Sequence, residues 1–292
     1  MKNFKNLNSW ALSLALLSLP LFSTTVSGAD EVEEVVAVGS RREARSVGDS
    51  PAPVDIITGS DFVNQGAMDL PDMIRTLVPS FNVNTQPISD AATLIRPANL
   101  RGLPPDNMLV LVNGKRRHRG AVISFLGSGI SDGAQGPDIS AIPSIALKQV
   151  EVLRDGASAQ YGSDAIAGIL NFVLRDDQDG TQLEIRSGQY KEGDGDAWRI
   201  AANIGMPFTS SGFANFSVEL QDSKATSRSV QRADAQGLYD GGNTAIWNYP
   251  EPAQIWGSPD VSDDYKFVVN IGLSLDESKD FYLFGNYGER NV

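Results

Sequence analysis

Five stretches in the second half of the chain, at 181–190, 197–206, 213–221, 265–275 and 281–287, alternate apolar with polar residues along their length. Period two is the repeat of a β-strand, whose successive side chains point to opposite faces. In the third stretch Ala214, Phe216, Val218 and Leu220 share one face, while Asn215, Ser217, Glu219 and Gln221 share the other. In the fourth, Tyr265, Phe267, Val269, Ile271 and Leu273 oppose Lys266, Asn270 and Ser274. Two architectures accommodate such ribbons. A soluble antiparallel sandwich turns the apolar face onto a core, whereas a transmembrane β-barrel turns it onto lipid and keeps the polar face inside. Short turns (PFTSSG, DESKD) alternate here with a long aromatic loop over 224–263, which is the loop asymmetry of a barrel.

The N-terminal segment points the same way. Lys2 and Lys5 precede an apolar run over 10–22 and the small residues Ser27, Gly28 and Ala29, a pattern that predicts a cleaved secretory signal peptide over 1–29. The run is well short of the roughly 20 residues a membrane-spanning helix needs, and no other stretch resembles one. A formal charge of −12 argues against non-specific nucleic-acid binding. The absence of cysteine removes disulfides, thiolate metal sites and a cysteine nucleophile. Twenty-eight glycines and 15 prolines favour turn-rich β structure over long helices.

Between these two regions the chain reads as a mixed globule. Residues 54–58 form a strand pattern, Ser60 can cap a brief helix ending near Gly66, and Asp69 can cap a second helix. Leu70, Met73, Ile74 and Leu77 fall at i, i+3, i+4 and i+7, one buried stripe, and Pro79 ends that helix. Asn113-Gly114, between a β-branched run and a basic run, predicts a hairpin. The basic run of Lys115, Arg116, Arg117, His118 and Arg119 can bind an anionic ligand or nucleic acid, but more often such a run is a solvated strand or pairs with acids elsewhere. His118 is the only histidine, so no metal site is expected. The loop SFLGSGISDGAQGPD over 124–138 offers Ser128, Asp132 and Gln135 for ligand contact. Strands are expected at 150–153 and 169–174, joined by a turn of small residues. Gly156, Gly162 and Gly168 stand six apart and match neither the dinucleotide fingerprint nor the P-loop. No Gly-x-Ser-x-Gly occurs, and the sole histidine, His118, lies in the basic run, so an exported hydrolase is not expected.

Four motifs, EEVVAVGSRR, LPDMIRTLVPSFNV, NLRGLPPDNMLVLVNGKRR and IPSIALKQVEVLRDGASAQYGSDAIAGILNFVLR, occur in the order seen in TonB-dependent outer-membrane receptors, which the chain resembles from about residue 33 to its end. The resemblance implies a tether over 30–49, an α+β plug domain over 50–175, and the first antiparallel strands of an incomplete transmembrane β-barrel over 176–292. Glu33, Glu34, Val35, Val36, Ala37 and Val38 stand where the family has its TonB box, although Ala37 and Val38 depart from the usual Val-Thr ending. Binding there is by strand addition, which rests mostly on backbone groups. An ordinary first strand is the other reading of that segment. Arg101, Gly102 and Arg154 match family positions, and the two arginines are expected to pair with barrel carboxylates.

The function so implied is active uptake of a scarce nutrient, of the iron-siderophore type, across the outer membrane. TonB, outer-membrane lipid and a metal chelate or other small nutrient are the implied partners, with no cofactor. A barrel able to hold a plug has about 22 strands, and the few present here cannot close. The chain is accordingly expected to be either an incomplete product of a longer gene or a truncated binding module that does not transport.

Overall fold

The structure is a computed structural model that describes residues 35–36, 45–46, 53–83, 93, 95–125, 129–243, 257–276 and 279–292. The predicted signal peptide, Glu33, Glu34, Ala37, Val38 and Ser128 lie outside the described residues. Val35–Val36 (β1) pairs antiparallel with Arg45–Ser46 (β2) in a two-residue ladder.

The strand β3 (Val54–Thr58) leads directly into the helix α1 (Gly59–Val63). Its cap is Thr58 and not Ser60. Thr58 and Asp61 form a capping box, with the Thr58 N–H donating to Asp61 Oδ2 at 2.8 Å. Ser60 is a good capping residue type, but it falls inside the first turn, whereas Thr58 has the extended backbone (φ −82°, ψ 161°) that a cap requires. The helix α2 (Leu70–Leu77) starts, as expected, at Asp69, whose carboxylate accepts the Asp72 N–H at 3.1 Å. Leu70, Met73 and Ile74 are its buried stripe.

Two short strands, β4 (Phe81–Val83) and β5 (Ala98–Leu100), form a separate ladder. Then β6 (Met108–Val112) and β7 (Lys115–Arg116) make the expected hairpin. Asn113 (φ 47°) and Gly114 (φ 72°) both take the left-handed conformation that a two-residue hairpin turn demands. The strands β8 (Leu147–Leu153) and β9 (Gly168–Leu174) are central in a sheet ordered β3-β8-β9-β6-β7, in which only β6 and β9 run parallel.

One face of that sheet packs Val110, Val150, Val152, Leu170 and Phe172 against Phe62, Met73 and Ile74. The other face collects Leu109, Leu111, Leu153 and Ile169 under Ala157 and Ala165, which flank the one-turn helix α3 (Ser158–Tyr161). Small residues are needed there because the backbones meet. A Cβ on Gly168, whose φ is 139°, would stand 2.3 Å from the Leu153 carbonyl oxygen. Gly168→Ala is therefore expected to cost about 2 kcal/mol or more, seen as faster amide exchange across β8 and β9.

The remaining strands form an antiparallel meander, here called the wall: β10 (Thr181–Gly188), β11 (Ala197–Pro207), β12 (Gly212–Ser223), β13 (Val261–Asp276) and β14 (Lys279–Asn291). The long loop between β12 and β13 holds a helix that the sequence pattern does not announce, α4 (Ala233–Asp240). Asn215, Ser217, Glu219 and Gln221 are buried, as are Asp264, Lys266 and Asn270. Their apolar neighbours are the exposed ones: Leu183 and Ile185 on β10, Ile200 and Ile204 on β11, Val218 and Leu220 on β12, Tyr265 and Phe267 on β13. Cross-strand pairs Ile200–Leu220, Leu220–Tyr265 and Val218–Phe267 join these into one apolar outer face. A soluble sandwich would bury that face and expose the other. Val268, an apolar residue at an inward position, enters the core of the globule, where Phe284 packs against the same cluster. Among the described residues no helix is long and apolar enough to cross a membrane.

Candidate functional site

The buried side of the wall carries ion pairs that the sequence pattern places on one face. Arg199, with no exposed side-chain surface, donates to Glu219 at 2.8 Å, to Glu184 at 3.1 Å and to the Ser144 hydroxyl at 2.6 Å. Lys266 donates to Glu219 at 2.7 Å and lies 3.4 Å from Asp264. Arg186 pairs with Glu184 and extends to main-chain carbonyls of the globule. Amides complete the contact: Asn270 donates to the Arg175 carbonyl at 2.8 Å and accepts from Asn113 at 3.2 Å, and Asn215 donates to the Asp177 carbonyl at 2.8 Å.

The residues singled out from sequence distribute unevenly over this frame. Arg101 and Gly102 form an exposed turn, with φ of 55° and 70°. Arg154 donates to Asp55 on β3 at 2.8 Å, so its acid is in the globule and not in the wall. The expected arginine–carboxylate pairs across the interface are thus not formed by these two side chains among the described residues. The reason is geometric: β3 is the strand paired with β8, which places Asp55 beside the end of β8, nearer than any wall acid. Wall cations instead reach neutral acceptors of the globule, Arg199 the Ser144 hydroxyl and Arg186 main-chain carbonyls.

Within the basic run, Arg116 pairs with Asp164 and donates to the Tyr161 carbonyl at 3.2 Å. Arg119 stands 3.7 Å from Asp106 and 3.8 Å from Asp164. Arg117 donates to Asn286 of the wall at 2.6 Å, and burial pushes its guanidinium below the usual arginine range. Together with His118 and Gln135 these side chains line a cavity of about 340 Å³. Gln135 is fixed by donating to the Gly120 carbonyl at 2.8 Å. Asp132 is exposed on the turn after Gly129–Ser131 and does not line that cavity. Val35 and Val36 form β1.

A second charged group lies beside the ends of β10, β12 and β13, where the globule meets the wall. Arg96, nearly buried, pairs with Asp69 and donates to Asp72 at 3.1 Å. Burial raises the Asp69 carboxyl, but Arg96, hydrogen bonds from Asp72 and the charge of Lys266 outweigh it and hold the group below its ordinary value. Burial and the charge of Asp69 together push Asp72 up to about 6. Between the ordinary value of about 4 and that raised one, the folded chain binds more protons than the unfolded chain, so stability falls as pH rises through this window. Asp72→Asn is expected to flatten the decline between about pH 4 and pH 6, measured by urea unfolding at several pH values. Asp69 contributes below that window, where acid removes the benefit of its pairing.

Sequence reasoning passed over Arg186, Arg199 and the role of Asn270. The signal was present as parity, because each sits on the polar face of an alternating stretch, yet alternation alone does not say what a polar face meets.

The family model TonB-dependent Receptor Plug Domain matches residues 46–169. The vitamin B12 transporter BtuB of Vibrio cholerae is 30% identical over 180 residues, which are 61% of this chain and 27% of that protein. The ferric enterobactin receptor of Pseudomonas aeruginosa is 29% identical over 170 residues, 56% of this chain and 22% of that protein. The chain thus spans about a quarter of the length of these curated relatives. Among solved structures, a ferric enterobactin receptor variant from Pseudomonas aeruginosa in complex with enterobactin has a TM-score of 0.58 at 21% identity, covering 82% of this chain and 33% of that one. The siderophore receptor PirA from Acinetobacter baumannii has a TM-score of 0.57 at 18% identity, covering 81% and 31%. These two likenesses are of fold, and they take in the globule and the antiparallel strands together. Residues 46–169 of the globule thus match the plug domain of TonB-dependent receptors, and the chain resembles such receptors in sequence and, through the wall strands that follow, in fold.

Proposed function

We propose that the chain is the plug-bearing part of an outer-membrane receptor that takes up a scarce nutrient, of the iron-siderophore type, with energy delivered through TonB. In this reading residues 1–29 direct export, 30–49 are the tether, 50–175 the plug, and 176–292 the first barrel strands. The observation that carries it is the inverted wall, whose polar face is buried on the plug while its apolar face is outward. That arrangement suits lipid outside and a hydrated lumen inside.

Cargo would meet the plug and the loops at the rim with the long connection. The relatives are named for vitamin B12 and ferric enterobactin. In the cavity beside β7, Arg116 and Arg119 are neutralised by Asp164 and Asp106. Arg117 and His118 are left to favour a chelate with anionic oxygens. The plug carries no chemistry on covalent bonds in this scheme. Work must come from the inner membrane, since the outer membrane has no nucleotide supply, and the tether is the connection through which TonB would pull.

Retention on the immobilised periplasmic domain of TonB tests the scheme. The full chain in detergent should be retained, and deletion of 33–38 should abolish retention while the plug keeps its amide protection. Equal retention of both forms would reject this TonB box.

A further inference from the structure

The helix α1 has no basic residue in its last turn, so its own sequence leaves the negative end of the helix without a cation. The wall supplies one. Arg186 of β10 sends Nη2 to the carbonyls of Phe62 at 3.0 Å and Val63 at 2.9 Å, and Nη1 to those of Gln65 and Ala67, the latter at 3.2 Å. Its Nε faces Glu184, which fixes the fork and leaves both tips for the plug. The planar guanidinium suits this task because its donors diverge in a fixed geometry that a single ammonium cannot reproduce. Beside it, Met68 packs against Gly188, the last residue of β10. All four acceptors are main-chain atoms, so the contact depends on the path of residues 62–67 and not on their side chains.

The position in the chain gives the contact its meaning. The tether enters the plug through β3, and α1 follows β3 without a break. We propose that Arg186 is a plug-positioning residue, a cap for α1 supplied by the wall, which holds the first helix of the plug in place when the tether is drawn. The drawing of the tether rests on the uptake reading above; the cap does not.

Hydrogen exchange of the full chain in detergent tests the cap. Arg186→Gln is expected to raise exchange roughly tenfold in peptides covering 62–68 while β8 and β9 stay protected. Arg186→Lys keeps the charge without the fork and should recover only part of the protection. Unchanged exchange at 62–68 in both variants overturns the assignment, and so does an equal rise across β8 and β9, which a merely structural role would give. Single-molecule pulling on a handle fused ahead of β1 adds a mechanical readout. The first rupture should come at lower force in Arg186→Gln than in Arg154→Gln, which breaks only the pair with Asp55; equal forces count against the proposal. Failure of the wild-type chain to bind the TonB domain would reject the uptake reading and leave the exchange result standing.

Discussion

Replacing Arg199 with methionine is expected to destabilise the chain by about 3–5 kcal/mol, the usual cost of removing one partner from a buried ion pair. The inner wall holds three cations, Arg186, Arg199 and Lys266, against three acids, Glu184, Glu219 and Asp264, joined by direct contacts. Methionine fills much of the same volume, so packing loss is minor and the effect isolates charge. Without Arg199 the cluster carries an uncompensated negative charge, and Glu219 keeps only Lys266, which Asp264 also shares. Ser144 loses its donor from the wall as well. The double variant Arg199→Met with Glu219→Gln restores neutrality, and it is expected to recover at least half of the loss. Urea unfolding in detergent micelles, followed by the gel mobility difference between folded and heated protein, would give both values. A single variant within about 0.5 kcal/mol of wild type would mean that these charges remain hydrated and that the polar face is not sealed against the plug.

Much of the fold was legible because local signals agreed with one another. Asp69 as a cap, the stripe of Leu70, Met73 and Ile74, and the Asn113-Gly114 turn each carry their own geometry, and each recurs in the structure. Five alternating stretches became five strands in sequence order, since an antiparallel meander needs no crossover to be inferred. The errors share a cause. Ser60 and Thr58 are both capping residue types two positions apart, and only the backbone angle decides between them. The helix α4 is short and weakly amphipathic, with no buried residue, so periodicity had nothing to report.

The contacts between plug and wall were less legible, for a different reason. Arg154 and Asp55 are 99 residues apart and become neighbours only through the pairing of β3 with β8. Arg186 serves acceptors that are main-chain carbonyls, and a carbonyl leaves no trace in a sequence. The basic run shows the converse. Its two readings, ligand site or strand paired with acids, were both open on composition, and the structure places acids beside Arg116 and Arg119 while leaving His118 facing the cavity. Charge pattern located the group; partners decided how much of its charge is left to act.

Placing an arginine on the outer face should separate the lipid-facing wall from a soluble sheet more sharply than any change inside. Val218 lies midway along β12, is exposed, and pairs with Phe267 of β13 in the apolar band. In a bilayer Val218→Arg is expected to cost about 2–4 kcal/mol, the penalty for a cation near the midplane, while Leu275→Arg near the end of β13 should cost no more than about 1 kcal/mol. In water both positions are exposed, and each change should fall within about 0.5 kcal/mol. The contrast lies in depth and not in residue type, so it does not depend on the intrinsic strand preference of arginine. Reconstitution of both variants into vesicles, with unfolding by urea, measures the difference directly. A midpoint penalty at Val218 that vanishes at Leu275 supports contact with hydrocarbon along the middle of the wall. Equal and small effects at the two sites would instead mean that the outer face meets water or another protein, and the inverted burial of β11, β12 and β13 would then need a covering partner.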